Sequence, residues 1–183
     1  MEEYIRAYPG ATLVRTATRQ IHYTLTPEHR PHSLRDEGPA LPIAGVAAGR
    51  APHDVKAMLD GDPGTSWSAG QSQSGDDTEA VTVDLGSARP VGAVELALGS
   101  DPAGYPRELR VESSLDGRSW AQAWQGRTAG RFLIAALEDP RRVAMRVQVD
   151  ETPARYIRLR QLAADATSGW SIAELAVLGP RRR

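Results

Sequence analysis

The sequence has no cysteine, a single lysine (Lys56), almost no net charge and no long hydrophobic run. Without cysteine there are no disulfides, no thiolate metal sites and no cysteine nucleophile. No apolar segment approaches the ~18–20 residues that a membrane span requires. The net charge of −1 does not provide the basic surface typical of proteins that bind nucleic acid. We therefore predict no nucleic-acid partner and no direct insertion into a membrane.

Motifs of catalysis are also missing. The chain contains no G-x-S-x-G, no phosphate loop and no dinucleotide fingerprint. Histidine occurs at His22, His29, His32 and His53, in the N-terminal part or just after it. The His29-x-x-His32 pair lies in Pro-rich sequence without a cluster of partner ligands, so we do not predict a zinc site there. The chain is predicted not to be an enzyme.

Residues 1–43 differ in composition from the rest of the chain. Residues 12–25 are rich in β-branched and aromatic side chains, which favours one or two strands, and a Pro-rich, charged stretch follows them. We interpret 1–43 as an N-terminal extension with a linker, either the tail of a preceding domain or a docked strand. The main domain is predicted at 44–179 and a basic tail at 180–183.

From residue 44 onward the pattern is one of short strands and turns. Apolar and polar residues alternate in eight segments, with turn signals roughly every 8–15 residues. One helical turn is expected at 55–59, and no long amphipathic helix. This spacing predicts an all-β, antiparallel, eight-stranded β-sandwich, a jelly roll. The predicted strands are 80–85, 91–98, 107–114, 119–123, 131–136, 143–149, 154–162 and 171–178.

The stretch A-M-L-D-G-D-P-G-T-S-W at 57–67 is a tight loop with oxygen-bearing side chains. Asp60, Asp62 and Thr65 offer carboxylates and a hydroxyl, the ligands that Ca²⁺ takes in sets of ~6–8. The loop is not an EF-hand, because its sixth position is Thr65 and its twelfth is Gln71. These residues alone leave two interpretations open, a plain Asp-Gly turn and part of a calcium site.

Five segments in order resemble the coagulation-factor type C (discoidin) domain and the related family-32 carbohydrate-binding modules. The resemblance covers residues 44–179 and implies a β-sandwich of the galactose-binding-like type. It also implies that Trp67 and Trp120 lie in the core. The matching segments are D-G-D-P-G-T-S-W (60–67), V-T-V-D-L-G (81–86), Y-P-R-E-L-R-V-E-S-S-L-D-G-R-S-W (105–120), A-R-Y-I-R-L-R (154–160) and W-S-I-A-E-L-A-V-L-G (170–179).

The resemblance further implies a structural Ca²⁺ between the 57–67 loop and the last strand. Because these two segments lie far apart in the chain, the ion would join the two ends of the domain and restrict the open chain. The alternative for the acidic residue of the last strand is a solvated carboxylate. The implied ligands are the carbonyls of Ala57 and Ala173, the carboxylates of Asp60, Asp62 and Glu174, and the hydroxyl and carbonyl of Thr65.

Relatives of this fold bind their ligands with the loops at one end of the sandwich. Galactose-binding relatives carry a His directly after the T-x-W motif and an aromatic residue three positions later. This chain has Ser68 and Gln71 there, so galactose specificity is not predicted. Three polar loops, 68–78, 99–107 and 163–169, are candidates for such a site, and the last two offer Asp101 and Asp165. From these loops we predict Gln71, Tyr105 and Arg107 as ligand-binding residues. The alternative is that Tyr105 caps a strand and Arg107 is a solvated edge residue.

These features predict a non-catalytic carbohydrate-binding accessory module, with a structural calcium, of a larger carbohydrate-active or cell-surface protein. The alternatives are a protein–protein adhesion module of discoidin type and a ligand-free structural domain. The expected partner is a glycan or a protein surface. The first residues, M-E-E-Y-I-R, do not form a signal peptide, which leaves a cytoplasmic protein or a piece of a longer chain. We expect an extracellular, periplasmic or cell-surface location as part of a longer protein.

Overall fold

The chain forms two compact units, Met1–Asp36 and Glu37–Arg183. In the first unit, β1 (Ala11–Arg15) and β2 (Ile21–Leu25) pair in antiparallel register, as expected for this β-branched stretch. The computed structural model describes the backbone of these two strands and, in the second unit, residues 38–50, 55–70, 72–75 and 80–181.

The described part of the second unit contains eight strands and two short helices, which confirms the all-β, antiparallel class. Its 3-10 helix, η1, spans Val55–Leu59 and its α-helix, α1, spans Ala129–Glu138. The jelly-roll connectivity stays a prediction. The strands are β3 (Gly45–Ala48), β4 (Trp67–Ser68), β5 (Ala80–Ala97), β6 (Glu108–Ser114), β7 (Ala121–Arg127), β8 (Ala144–Gln161), β9 (Ser171–Ile172) and β10 (Glu174–Leu178).

The main sheet has six strands in the order β10-β5-β8-β6-β7, with β3 also paired to β5. β5 and β8 are 18 residues long and pair with each other along most of their length. The first half of β5 pairs with β3 and its second half with β10. β4 and β9 form a separate two-stranded pair.

Two pairs of predicted strands are single long strands in the structure. The segment between the predicted strands 80–85 and 91–98 is an irregularity inside β5, where the register shifts between Asp84 and Arg89. Gly86 there has φ +75°, a conformation that favours glycine. A bulge of this kind bends a strand without ending it. Pro90 pairs with Pro153 of β8, so the two residues that lack an N–H group lie opposite each other.

The strand predicted at 131–136 is wrong, because this segment lies in helix α1. Ala, Leu and Glu in its sequence A-G-R-F-L-I-A-A-L-E favour a helix. Phe132 is the buried residue of α1 and anchors it to the core, whereas Leu133, Ile134 and Leu137 are 60%, 46% and 72% exposed. Within the described ranges no helix has both the length and the apolar character needed to cross a membrane.

The core confirms one of the two tryptophan predictions. Trp67 and Trp170 are fully buried, and their rings meet edge to face with centroids 5.2 Å apart. The indole N–H of Trp67 donates to the carbonyl of Arg50 at 3.1 Å. The prediction for Trp120 is wrong, because it is only partly buried and the guanidinium of Arg158 lies 4.0 Å from its ring centroid. Trp120 therefore packs against a charged side chain and is not among the residues of the apolar core.

Candidate functional site

Three loops, formed by the described residues of 68–75, by 99–107 and by 163–169, are joined by hydrogen bonds of backbone and side-chain groups. Gln73 and Asp165 exchange two such bonds, of 2.8 and 2.9 Å. The 99–107 loop is attached to the start of β9, where the N–H of Ser171 donates to the carbonyl of Gly104 at 2.8 Å. The loops therefore form one connected surface although they come from distant parts of the chain.

The side chain of Gln73 fixes the position of the 99–107 loop. Gln73 is 2% exposed. Its Nε2 donates to the carbonyl of Tyr105 at 3.0 Å, and its Oε1 accepts from the N–H of Arg107 at 3.1 Å. One buried amide thus satisfies a backbone acceptor and a backbone donor of the neighbouring loop, as buried polar groups require.

Arg107 and Asp165 form the second link between the loops. Nε and Nη2 of Arg107 both lie 2.5 Å from Oδ2 of Asp165. Nη1 of Arg107 donates to the carbonyls of Ala103 and Tyr105, each at 3.1 Å, and its guanidinium carbon lies 4.0 Å from the centroid of the Tyr105 ring. The two predicted ligand-binding residues Tyr105 and Arg107 are therefore in contact. The guanidinium of Arg107 is engaged in bonds that hold the loops together.

Asp165 is ionised in the folded protein. The hydroxyl and N–H of Thr167 donate to this carboxylate at 2.7 and 2.8 Å. These bonds, followed by the bond and the charge of Arg107, hold the pKa of Asp165 well below its usual range against the opposing effect of burial.

We expect Asp165→Asn to lower the melting temperature at pH 7 and to lose this effect in acid. A carboxyl group with a lowered folded-state pKa stabilises the fold above its unfolded-state pKa of ~3.9, and the stabilisation is lost as the pH falls toward the folded-state value. The difference between the wild-type and variant melting temperatures should therefore narrow below about pH 4. An unchanged difference between pH 7 and 2 would show that the charge of Asp165 has no role.

The three loops surround an open cleft of about 650 Å³, a size typical of small-ligand sites. The described part of its lining has hydroxyls, backbone groups and one carboxylate, and no aromatic ring. Asp101 Oδ1 accepts from the N–H of Ala103 at 2.9 Å, which stabilises the turn on one side of the cleft. The lining residues are Gly70, Ser72, Asp101, Ala103, Ala166, Thr167, Ser168 and Gly169.

The predicted ligand-binding residues are not part of the described lining of this cleft. The ring of Tyr105 instead faces Phe132, with centroids 5.6 Å apart, and lines an apolar groove of about 290 Å³ against α1. Arg107 lies behind the cleft, with 22% of its side chain exposed. Gln71 lies outside the described residues. The ligand-binding roles of Tyr105, Arg107 and Gln71 stay predictions.

The 57–67 loop, which we call the acidic loop, is held by hydrogen bonds from its own side chains. Asp60 Oδ1 accepts from the N–H of Asp62 at 2.9 Å, and Asp60 Oδ2 lies 2.8 Å from the Thr65 hydroxyl. Asp62 Oδ1 accepts from the N–H of Gly64 at 2.8 Å. Gly61 has φ +78°, which allows the tight turn between the two acids. The two Asp side chains and Thr65 therefore lie in one small loop.

Glu174, the first residue of β10, lies beside this loop. Its Oε1 is buried and has no hydrogen-bond partner among the described residues. Burial raises the pKa of Glu174, the charges of Asp60 and Asp62 raise it further, and the N–H of Gly61 and the charge of Arg142 partly offset this. An ionised Glu174 is thus unfavourable in this position unless a positive charge accompanies it.

The donor set around Glu174 fits a hard cation. Within the described residues no three His, Cys, Asp or Glu side chains form a metal-binding group by themselves. Calcium also uses hydroxyls and carbonyls, and the predicted carbonyl donors Ala57 and Ala173 lie in η1 and directly before β10, two elements that contact each other. A buried carboxylate oxygen without a partner is the observation that favours a cation here.

Sequence reasoning named Asp101 and Asp165 among the residues of the candidate loops without choosing them as ligand-binding, and it missed Gln73 and Thr167. Gln71 and Gln73 are two positions apart in a run of Ser and Gln, and nothing in that run shows which of them is buried. Asp165 lies 58 residues from its partner Arg107, so their ion pair has no local signature. Asp101 and Thr167 belong to polar loops whose contribution depends on which loops meet.

Comparison with solved structures supports the fold. The family-32 module of AlyQ, solved with 4,5-unsaturated mannuronic acid, is 23% identical with a TM-score of 0.59, over 76% of this chain and 98% of that one. A truncated AlyQ with this module and its alginate lyase domain is 24% identical with a TM-score of 0.60, over 79% of this chain and 34% of that one.

A third similar structure is the module CpGH89CBM32-5 from Clostridium perfringens, solved with GalNAc-β-1,3-galactose. It is 17% identical with a TM-score of 0.57, over 77% of this chain and all of that one. A search of curated proteins finds no significant match. A family model described as the F5/8 type C domain matches residues 46–175, most of the second unit. The chain belongs to the F5/8 type C (discoidin) domain family.

Proposed function

We propose that the second unit is a non-catalytic carbohydrate-binding module whose ligand site is the cleft between the three loops. The observation that carries this proposal is that the loops are joined by the hydrogen bonds of Gln73 and by the Arg107–Asp165 ion pair. A binding site needs its polar groups held in place before the ligand arrives, because ordering them on binding costs affinity. The cleft has this property.

The chemistry of the lining suits sugar hydroxyls. Ser72, Thr167 and Ser168 offer hydroxyls, Asp101 offers an acceptor, and the glycines expose backbone groups. Similar modules were solved with a uronic acid and with a neutral disaccharide. Since these sugars differ in charge, the similar structures support sugar binding in general. Which sugar this chain binds has to be inferred from the residues of its own cleft.

We also propose that the module is an accessory part of a larger extracellular, periplasmic or cell-surface protein. One similar structure carries its module on the same chain as an alginate lyase domain. The described residues of the second unit offer a cleft for binding. The proposed role is therefore to hold an attached domain close to its glycan.

A structural calcium completes the proposal. The carboxylates of Asp60, Asp62 and Glu174, with the Thr65 hydroxyl, would hold it together with the carbonyls of Ala57 and Ala173. When bound, the ion supplies the positive charge that the buried Glu174 oxygen lacks. Glu174 begins β10 and the two Asp residues follow η1, so the set would join the last strand to the start of the domain.

A bulky residue in the cleft tests the proposed site. Ala103 is exposed and lines the cleft, so we expect Ala103→Trp to fill it and to weaken glycan binding at least tenfold without loss of folding. Ala88→Trp, at an exposed alanine outside the lining, is the control and should bind as the wild type does. Binding is measured by calorimetry with the best ligand from a glycan array. An array without any hit at millimolar protein would contradict the proposal.

The adhesion alternative has one observation in its favour. Leu133, Ile134 and Leu137 of α1 are exposed beside the apolar groove, and exposed apolar patches often contact proteins. A protein bound at α1 should be insensitive to Ala103→Trp, which acts on the other side of the 99–107 loop. The same variant therefore separates the two functions.

A further inference from the structure

The described lining of the cleft contains one ionisable side chain, that of Asp101. Its Oδ1 accepts from the N–H of Ala103 at 2.9 Å. No hydrogen bond to its Oδ2 is found among the described residues, and Asp101 is exposed and lines the cleft. One carboxylate oxygen is therefore available to a ligand.

The guanidinium of Arg107, which lies next to the cleft, does not neutralise Asp101. Arg107 donates to the carbonyl of the lining residue Ala103, but its guanidinium pairs with Asp165 at 2.5 Å. Asp165 is ionised, since the Thr167 bonds keep the pKa of its carboxyl low. The two charges of this pair compensate each other, so among the described lining residues Asp101 is the source of negative charge.

We propose that the cleft selects a sugar with a free, protonated amino group, such as a glucosamine unit, over its N-acetylated form and over acidic sugars. This inference rests on the proposed function, because it names the sugar class that the same cleft takes. An ammonium group donates a charge-assisted hydrogen bond to the free oxygen of Asp101. Acetylation removes that charge, and the carboxylate of a uronic acid is repelled.

The expected size of the effect follows from the exposure of Asp101. Exposed ion pairs contribute modestly and are screened by salt. We expect the free amine to improve affinity about fivefold over the N-acetyl form. The preference should weaken between low and high ionic strength, because screening acts on the charge and leaves the hydroxyl contacts unchanged.

The test is isothermal titration of the full chain with tetramers of glucosamine, N-acetylglucosamine and galacturonic acid at pH 6, at low and at high salt. Asp101→Asn keeps the acceptor for the N–H of Ala103 and removes the charge. Asp139→Asn is the matched control, because Asp139 is also exposed and accepts from the N–H of Arg141 at 3.0 Å in a similar turn, outside the cleft.

The inference predicts that glucosamine tetramers bind best, that Asp101→Asn removes the preference and that Asp139→Asn keeps it. Equal or tighter binding of the N-acetylated or galacturonic tetramer by the wild type would overturn the inference and leave the carbohydrate-binding function standing. A preference that survives Asp101→Asn would overturn the role of this carboxylate. Failure of all three tetramers and of a wider glycan array to bind would overturn the proposed function and the inference with it.

Discussion

Glu174→Gln is expected to stabilise the protein in excess chelator and to destabilise it in calcium, so that the order of the melting temperatures reverses. Without a cation, the variant removes a buried charge that Asp60 and Asp62 repel. With calcium, it removes a ligand. At free calcium 100 times the dissociation constant, binding stabilises the wild type by about 2.7 kcal/mol, on the order of 10 °C for a domain of this size.

The pH dependence provides an independent test of the same site. The pKa of Glu174 is raised in the folded state, so in chelator its contribution to stability is fully present below its unfolded-state pKa of ~4.3 and declines as the pH rises through the folded-state value. In calcium the dependence should reverse, because a cation binds the deprotonated carboxylate.

Differential scanning calorimetry of the wild type and Glu174→Gln, in chelator and in calcium, measures these effects. Glu138→Gln, at an exposed glutamate of α1, is the control and should behave as the wild type in both conditions. Identical wild-type melting curves with and without calcium would contradict the calcium site. An equal calcium response in Glu174→Gln would remove Glu174 from it.

Gln73→Ala is expected to cost about 2–4 kcal/mol of unfolding free energy and to abolish glycan binding, although Gln73 is not a residue of the cleft lining. The substitution leaves the N–H of Arg107 without its partner, which costs ~1–3 kcal/mol for a buried group. It also removes one of the two donors to the carbonyl of Tyr105, the other being Nη1 of Arg107, and such a hydrogen bond contributes ~0.5–1.5 kcal/mol. The 99–107 loop then loses the contact that positions Asp101 and Ala103.

Urea unfolding and calorimetric titration of the folded variant separate stability from binding. Gln122→Ala, at an exposed glutamine of β7, should change unfolding free energy by less than about 0.5 kcal/mol. If Gln73→Ala loses stability and still binds glycan with wild-type affinity, Gln73 supports the fold and does not position the cleft.

The fold class was predictable because apolar and polar residues alternate with a period of two through most of the second unit. Strand ends were less predictable. Gly86 and Pro90 are signals of a turn, yet β5 continues through them because β8 pairs on both sides of the bulge. The apolar residues at 131–136 are compatible with a strand. The segment forms a helix instead, with Phe132 buried in the core.

Of the two candidate sites, the proposed calcium site was predictable from the sequence and the cleft was not. The proximity of Glu174 to the acidic loop followed from a family resemblance, and the geometry places the carboxylate beside that loop. The cleft depends on contacts across large sequence distances, such as the pairing of Gln73 with Asp165. No local pattern encodes such contacts, so Tyr105 and Arg107 were predicted from loop composition without knowledge of where their side chains point.

The most direct test of the carbohydrate-binding proposal is an NMR titration of the isotope-labelled chain with the best glycan from an array. We predict that amide signals of the cleft residues shift in a saturable manner, with Ser72, Asp101 and Thr167 among them, while those of β7 and α1 do not. Saturable shifts confined to α1 and its apolar groove, or no shifts with any glycan, would contradict the proposal that the cleft binds carbohydrate.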